Sequence, residues 1–244
     1  MQTESDTGSY RWLIVPVVVA AGAALVFWLG PSAPRWASTL GLGESSVATE
    51  IAYQLASLGL AAAVLAVAYL LAPDNFTELF GPGDLDAAVE PVPWLGLNPG
   101  PDERWRQVGR DIGVVVTGVT AVVIFLQVVR GGEFRASRLL SHAHWILGFA
   151  LVNSFVEEMI CRQSLVAPLF DLIAPRHLYL LSGAIFGGFH YFGTPGGPAG
   201  VVLAGFLGWF LAKSLVEMRG LFFVWTIHFL QDVVIFGAQL STPA

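Results

Sequence analysis

Long apolar runs, separated by polar or turn-forming stretches, organise the chain. Most of the runs are near the ~20 residues that an α-helix needs to cross the hydrocarbon core of a bilayer. Because lipid offers no hydrogen-bond partners, the backbone in such runs must satisfy itself within helices. We therefore predict an all-α, multi-pass transmembrane helical bundle with about seven spans. The predicted spans are residues 12–30, 51–72, 112–129, 139–161, 178–192, 200–216 and 221–238.

The polar stretches divide the chain into two parts. The longest of them, residues 73–110, contains the turn-forming sequences FGPGD and NPGP and is predicted to be an aqueous loop. A shorter basic loop carries Arg130, Arg135 and Arg138. We predict N-terminal transmembrane helices and the long loop in residues 1–138, and a membrane core of the last four helices in residues 139–244.

Composition supports the bilayer as the solvent. Hydrophobic residues make up 55% of the 244 residues and charged residues 12%, against about 25% charged in a typical soluble domain. The net charge of -6 and the lack of a basic stripe argue against nucleic acid as a partner. The expected partner is the lipid bilayer of the cell membrane, and the oligomeric state is left open; a protein or peptide as a further partner is implied only by a family resemblance. The single cysteine, Cys161, excludes an internal disulfide.

Ionisable side chains at membrane depth are costly, so each needs a physical reason. In the C-terminal part, the spacing of the ionisable residues along each helix indicates which of them share a face and can pair. Glu158 and Arg162 are four residues apart and share a face, so they are predicted to pair. Glu157 lies about 100° around the helix and points away from that pair, without a local cation. His228 and Asp232, again four apart, project from one face of the last helix. The complete set is Glu157, Glu158, Arg162, His190, His228 and Asp232.

This set of groups is sufficient for hydrolysis if the three helices are neighbours. A carboxylate and a histidine can hold a water molecule and take its proton, while other donors stabilise the oxyanion of the tetrahedral intermediate. The same residue types can instead bind zinc, with Glu157, His190 and His228 as ligands. The sequence leaves both possibilities open.

Three motifs in a fixed order carry a family resemblance. Together they resemble the signature of the CAAX protease and bacteriocin-processing family, over roughly residues 139–238. This resemblance implies a membrane-embedded endopeptidase whose catalytic core is the last four helices, with no required cofactor and zinc as the alternative. The motifs are Glu157-Glu158-x-x-x-Arg162, Phe186-x-x-x-His190 and His228-x-x-x-Asp232.

The resemblance also implies roles for the site residues. Asp232 departs from the Asn of the best-described prenyl-protein proteases, and an ionised Asp cannot donate a hydrogen bond. Three roles are open to Asp232: it keeps His228 protonated, it is itself protonated and donates, or it favours the binding of a metal. Because Asp also occurs there in the wider family, loss of activity is not predicted. The implied roles are water activation for Glu157 and His190, a structural pair for Glu158 and Arg162, and oxyanion stabilisation for His228 and Asp232.

Two rival functions belong to other classes. One is a non-catalytic membrane regulator or immunity protein, and the other is a transporter that uses the same groups as a proton relay. A relay would not need the Glu-Glu-x-x-x-Arg order, and a regulator would tolerate loss of Glu157 or His190. Cys161, one turn beyond Glu157, is interpreted as a small buried apolar residue rather than as a nucleophile. The sequence does not specify the substrate or a preference for prenylated proteins.

Overall fold

The computed structural model describes residues 6–130 and 134–241, and within these ranges the chain forms helices and no β-strand. Part of the predicted basic loop, residues 131–133, lies outside the described residues. The longest loop contains two isolated β-bridges and a short 3-10 turn. The helices are α1 (Tyr10–Thr39), α2 (Ser46–Leu71), α3 (Pro73–Leu79), α4 (Trp105–Arg130), α5 (Ala136–Ser141), α6 (Ala143–Glu158), α7 (Ser164–Leu169), α8 (Pro175–Phe189), α9 (Gly197–Met218) and α10 (Phe222–Ser241).

The predicted all-α, multi-pass membrane bundle is confirmed, but the number of spans differs. Of the described helices, five are long and apolar enough to cross a membrane, namely α1, α2, α4, α9 and α10. The predicted fourth span is helical but ends in charged residues and passes through a π-helical turn, Met159–Gln163, into α7. The predicted fifth span, α8, has 15 residues, or about 22 Å of helix, which is shorter than the ~30 Å hydrocarbon core.

Helices α8 and α9 form the closest pair of the core, because glycines let their backbones approach. A Cβ atom on Gly187 would lie 2.6 Å from the carbonyl oxygen of Val201, and one on Gly183 would lie 2.7 Å from that of Gly205. Any larger residue at either position would force the two helices apart. This close contact fixes where His190, just beyond the end of α8, meets the rest of the core.

Helix α4 of the N-terminal part packs along α10 through a polar clamp. The side-chain amide of Gln231 donates to Thr117 Oγ1 at 2.7 Å and accepts from Thr120 Oγ1 at 2.5 Å. Interhelical hydrogen bonds of this kind hold helices together where lipid provides no hydrophobic driving force. Because Gln231 precedes Asp232, the clamp also fixes the rotation of α10 at the site.

The long loop between α3 and α4 closes over the turn that joins α9 to α10. The backbone N–H of Asp84 donates to Met218 O at 2.8 Å, and that of Leu221 donates to Gly81 O at 2.7 Å. Gly83, at φ +80°, approaches so closely that a Cβ atom there would lie 2.7 Å from Met218 O. The loop thereby holds the start of α10 in place.

Candidate active site

Polar side chains from three helices meet at one cavity of about 510 Å³. Helix α6 contributes Glu157, the end of α8 contributes His190, and α10 contributes His228 and Asp232. The structure thus brings together four of the six predicted residues on the cavity wall. The other two, Glu158 and Arg162, are completely buried behind it.

His228 lies at the centre of the cluster. Its Nδ1 is 2.5 Å from Glu158 Oε1, while its Nε2 is 3.6 Å from Glu157 Oε2 and 3.7 Å from Asp232 Oδ1. The bond at Nδ1 fixes the ring and turns Nε2 towards the two cavity carboxylates. The spacing predicted the proximity of Asp232, whereas the bond to Glu158 crosses between helices and was not predicted.

Glu158 and Arg162 form the pair that their spacing predicts. Arg162 Nε lies 3.1 Å from Glu158 Oε2, and neither side chain is exposed. The two atoms are within ion-pair distance but are not aligned as a hydrogen bond, and the guanidinium nitrogens have no hydrogen-bond acceptor among the described residues. The pair is therefore held mainly by charge in a low-dielectric setting.

Phe186 supplies the packing surface that the buried cation and both histidines share. The Arg162 guanidinium carbon lies 3.6 Å from the centre of the Phe186 ring, a cation–π contact. The ring centres of His190 and His228 lie 4.2 and 5.6 Å from that of Phe186. One aromatic side chain thus sets the spacing between the two histidines.

His190 is oriented by the backbone of its own helix. Its Nδ1 lies 2.9 Å from the carbonyl oxygen of Phe186, which accepts a hydrogen bond when Nδ1 carries the proton. The ring nitrogen that remains for the cavity is then Nε2. When the ring is neutral, this arrangement leaves Nε2 able to accept a proton or a hydrogen bond.

Glu157 is held by contacts to two helices. Its Oε1 accepts a hydrogen bond from Asn153 Nδ2 at 3.1 Å, and its Oε2 faces His228. Spacing within α6 predicts only that Glu157 points away from the Glu158–Arg162 pair, whereas its approach to His228 depends on how the helices pack. Its side chain remains 20% exposed, whereas that of Glu158 is fully buried.

Sequence reasoning missed several polar residues of the cavity wall, among them Asn153, Glu50 and Tyr53. Asn153 lies one turn before Glu157, so its place on the same helix face was detectable from spacing. Glu50 and Tyr53 come from α2, outside the three motifs, and no pattern in the sequence indicates that α2 is adjacent. Part of the cavity therefore belongs to the N-terminal half of the chain.

The zinc alternative concerns Glu157, His190 and His228. Across residues 6–130 and 134–241, no group of three or more His, Cys, Asp or Glu side chains is placed to hold a metal ion. The Nδ1 of His228 is already taken by Glu158, which leaves Nε2 as its ring nitrogen for any ligand.

The family model described as Type II CAAX prenyl endopeptidase Rce1-like matches residues 139–234. This segment contains all three motifs and the six predicted site residues, so the match confirms the family resemblance. The chain is a membrane protein whose segment 139–234 is similar to CAAX prenyl protease-like endopeptidases. The match covers less than half of the chain. No curated protein and no solved structure matches it.

The buried ion pair gives a stability prediction. Glu158→Gln leaves the Arg162 charge buried without a counter-charge, and breaking such a pair costs about 3–5 kcal/mol. We expect a clear drop in the thermal unfolding temperature of the detergent-solubilised protein. The double variant Glu158→Gln/Arg162→Met removes both charges and should recover much of the loss.

The matched control is Arg110→Gln, which removes the exposed ion pair with Asp111. Exposed pairs contribute about 0–1 kcal/mol, so its unfolding temperature should stay close to that of the unchanged protein. Equal destabilisation of the single and double Glu158 variants would show that the Arg162 charge does not determine stability here.

Proposed function

We propose that the cavity is the active site of an intramembrane endopeptidase that hydrolyses a peptide bond of a membrane-associated protein or peptide. The observation that carries the proposal is the convergence of Glu157, His190 and His228 from three helices on one cavity wall. A carboxylate and a histidine can activate water, and a third group can stabilise the oxyanion. We place the enzyme in the cell membrane.

Glu157 is the proposed general base. Of the two adjacent glutamates, it is the one with an exposed carboxylate and a place on the cavity wall. Glu158 is engaged by Arg162 and His228 and has no exposed surface. Burial thus separates the two roles, with Glu157 available to water and Glu158 fixed in the supporting layer.

The proposed reaction moves one proton from water to the leaving group. Glu157, with His190 Nε2 orienting the water molecule, takes a proton as the hydroxide oxygen bonds to the carbonyl carbon. The carbonyl electrons move onto oxygen and then return as the C–N bond breaks. Glu157 gives its proton to the amine nitrogen, so the products are a carboxylic acid and an amine.

His228 is the proposed oxyanion donor. Three carboxylates surround its ring, from Glu157, Glu158 and Asp232. They complement the charge of an imidazolium, which can donate hydrogen bonds from both ring nitrogens. Nδ1 then donates to Glu158, while Nε2 is left for the oxyanion. In this scheme Asp232 acts by stabilising the charge of His228 and not as a donor.

Much of the rest of the cavity wall is apolar and suits a hydrophobic substrate. Val119 of α4, Leu203 and Leu207 of α9, and Phe236 of α10 are among the residues that line it. Val119 and Leu203 are 48% and 43% exposed, so the wall reaches the outer surface of the bundle. We propose that the substrate presents an apolar or lipid-modified segment to this wall.

The base assignment is tested by Glu157→Gln. Gln cannot accept the proton of water, so cleavage should fall by about 10²–10⁴-fold with the protein still folded. Activity is measured in liposomes with quenched-fluorescence libraries of hydrophobic peptides, both unmodified and prenylated.

Cys161→Ser is the matched control for the Glu157 variant. Cys161 is buried in the π-helical turn, so this variant should keep most of the activity. Loss of activity in Cys161→Ser, together with labelling of Cys161 by a thiol-directed inhibitor, would replace the water mechanism with a thiol nucleophile.

Asp232 variants test the oxyanion and metal questions together. Without a metal, Asp232→Asn should retain substantial activity, because the Asn amide supplies an N–H donor of its own that offsets the loss of the negative charge beside His228. Asp232→Ala should be far worse, since removal of one oxyanion-stabilising group costs about 10²–10³-fold in related chemistry.

If zinc is instead bound by Glu157, His190 and His228, Asp232→Asn should weaken metal binding. Activity would also be lost on treatment with a chelator and would return when zinc is added. Near-stoichiometric zinc in the purified enzyme, with activity lost on its removal and restored on its return, would contradict the metal-free mechanism.

A further inference from the structure

Asn153 joins two carboxylates of the site that lie on different helices. Its Nδ2 atom lies 3.1 Å from Glu157 Oε1 on α6 and 3.0 Å from Asp232 Oδ2 on α10. Because an ionised carboxylate only accepts hydrogen bonds, the amide nitrogen and not the amide oxygen must face them. The orientation of the Asn153 side chain therefore follows from its surroundings.

These four groups form a closed ring in which donors and carboxylates alternate. On one side of the ring Asn153 donates to Glu157 and Asp232. On the other side His228 Nε2 faces the same two carboxylates at 3.6 and 3.7 Å. Two carboxylates this close repel each other unless donors lie between them. Without Asn153, His228 would be the one remaining group of this ring that offsets the repulsion between the Glu157 and Asp232 carboxylates.

The amide has no hydrogen left for a substrate. An Asn side chain carries two N–H hydrogens, and here one is directed at Glu157 and the other at Asp232. Asn153 thus acts through Glu157 rather than on the reacting atoms. We propose that Asn153 is a positioning residue, which holds the Glu157 carboxylate in its productive orientation by tying it to Asp232 across the α6–α10 interface.

This inference rests on the proposed function, in which Glu157 is the base. Hydrogen bonds to charged groups are the strong ones in proteins, and loss of orientation affects the chemical step. We therefore expect Asn153→Ala to lower kcat by roughly 10-fold to 100-fold. KM should stay within about 2-fold, because a contact that matters only in the transition state leaves ground-state binding unchanged.

A charge-conserving exchange separates positioning from packing. Asn153→Asp/Asp232→Asn keeps the total charge, both side-chain sizes and an amide–carboxylate hydrogen bond between α6 and α10. It removes the N–H donor that faces Glu157 and places a carboxylate there. Because the new carboxylate repels Glu157, we expect this double variant to stay folded but to unfold somewhat below Asp232→Asn alone, and to have a kcat at least about 10-fold below that of Asp232→Asn.

The control variant is Ser154→Ala, which changes the polar residue that follows Asn153 in α6. Its hydroxyl bonds to the backbone carbonyl of Ala150 within α6 and is remote from the carboxylates. It should keep the kcat and KM of the unchanged protein. A kcat in the exchange variant equal to that of Asp232→Asn would show that Asn153 only packs the helices, and would overturn the proposal even if Asn153→Ala failed to fold.

The same peptide-library assay distinguishes failure of this inference from failure of the proposed function. If Glu157→Gln cleaves as well as the unchanged protein, the base assignment fails, and the positioning role fails with it. If Glu157→Gln is inactive while Asn153→Ala retains full kcat, the base assignment stands and only the role of Asn153 is wrong.

Discussion

The completely buried positive charge of Arg162 constrains the geometry of the whole site. It pairs with Glu158 one helical turn away and lies against the face of Phe186. Because one oxygen of Glu158 faces Arg162, the other is directed at His228, whose second ring nitrogen then points to the cavity. Phe186 in turn contacts both histidine rings. A pair that touches no substrate thus determines where the proposed catalytic groups stand.

The cavity is lined partly by residues outside the segment that the family model matches. The four predicted residues on its wall lie within residues 139–234, but Glu50 and Tyr53 of α2 and Val119 of α4 also line it. Gln231 fastens α4 to α10, and the long loop closes over the turn before α10. The N-terminal half therefore shapes the space in which a substrate would lie, while the matched segment supplies the groups proposed for the chemistry.

Helical periodicity predicted the relations within each helix. It placed Glu158 beside Arg162 and His228 beside Asp232, because residues four apart share a face. It could not predict the bond between Glu158 and His228, since spacing says nothing about how two helices are rotated against each other. For the same reason it missed the bridge from Asn153 to Asp232. The seven predicted spans and the five helices that meet the criteria of length and apolar content differ at residues 139–161, which end in charged side chains, and at residues 178–192, where α8 is short.

The chemistry proposed for this protein depends on one group, the Glu157 carboxylate, which activates water for peptide hydrolysis in the membrane. The most direct test compares newly formed protein termini in membranes of cells that produce either the unchanged protein or Glu157→Ala at equal levels. This mechanism predicts a set of termini, in or next to apolar segments, that appear with the unchanged protein and are absent with the variant. Identical sets of termini in the two kinds of cell, with the same growth phenotype for both, would contradict this mechanism. That result would favour a non-catalytic regulator or a transporter.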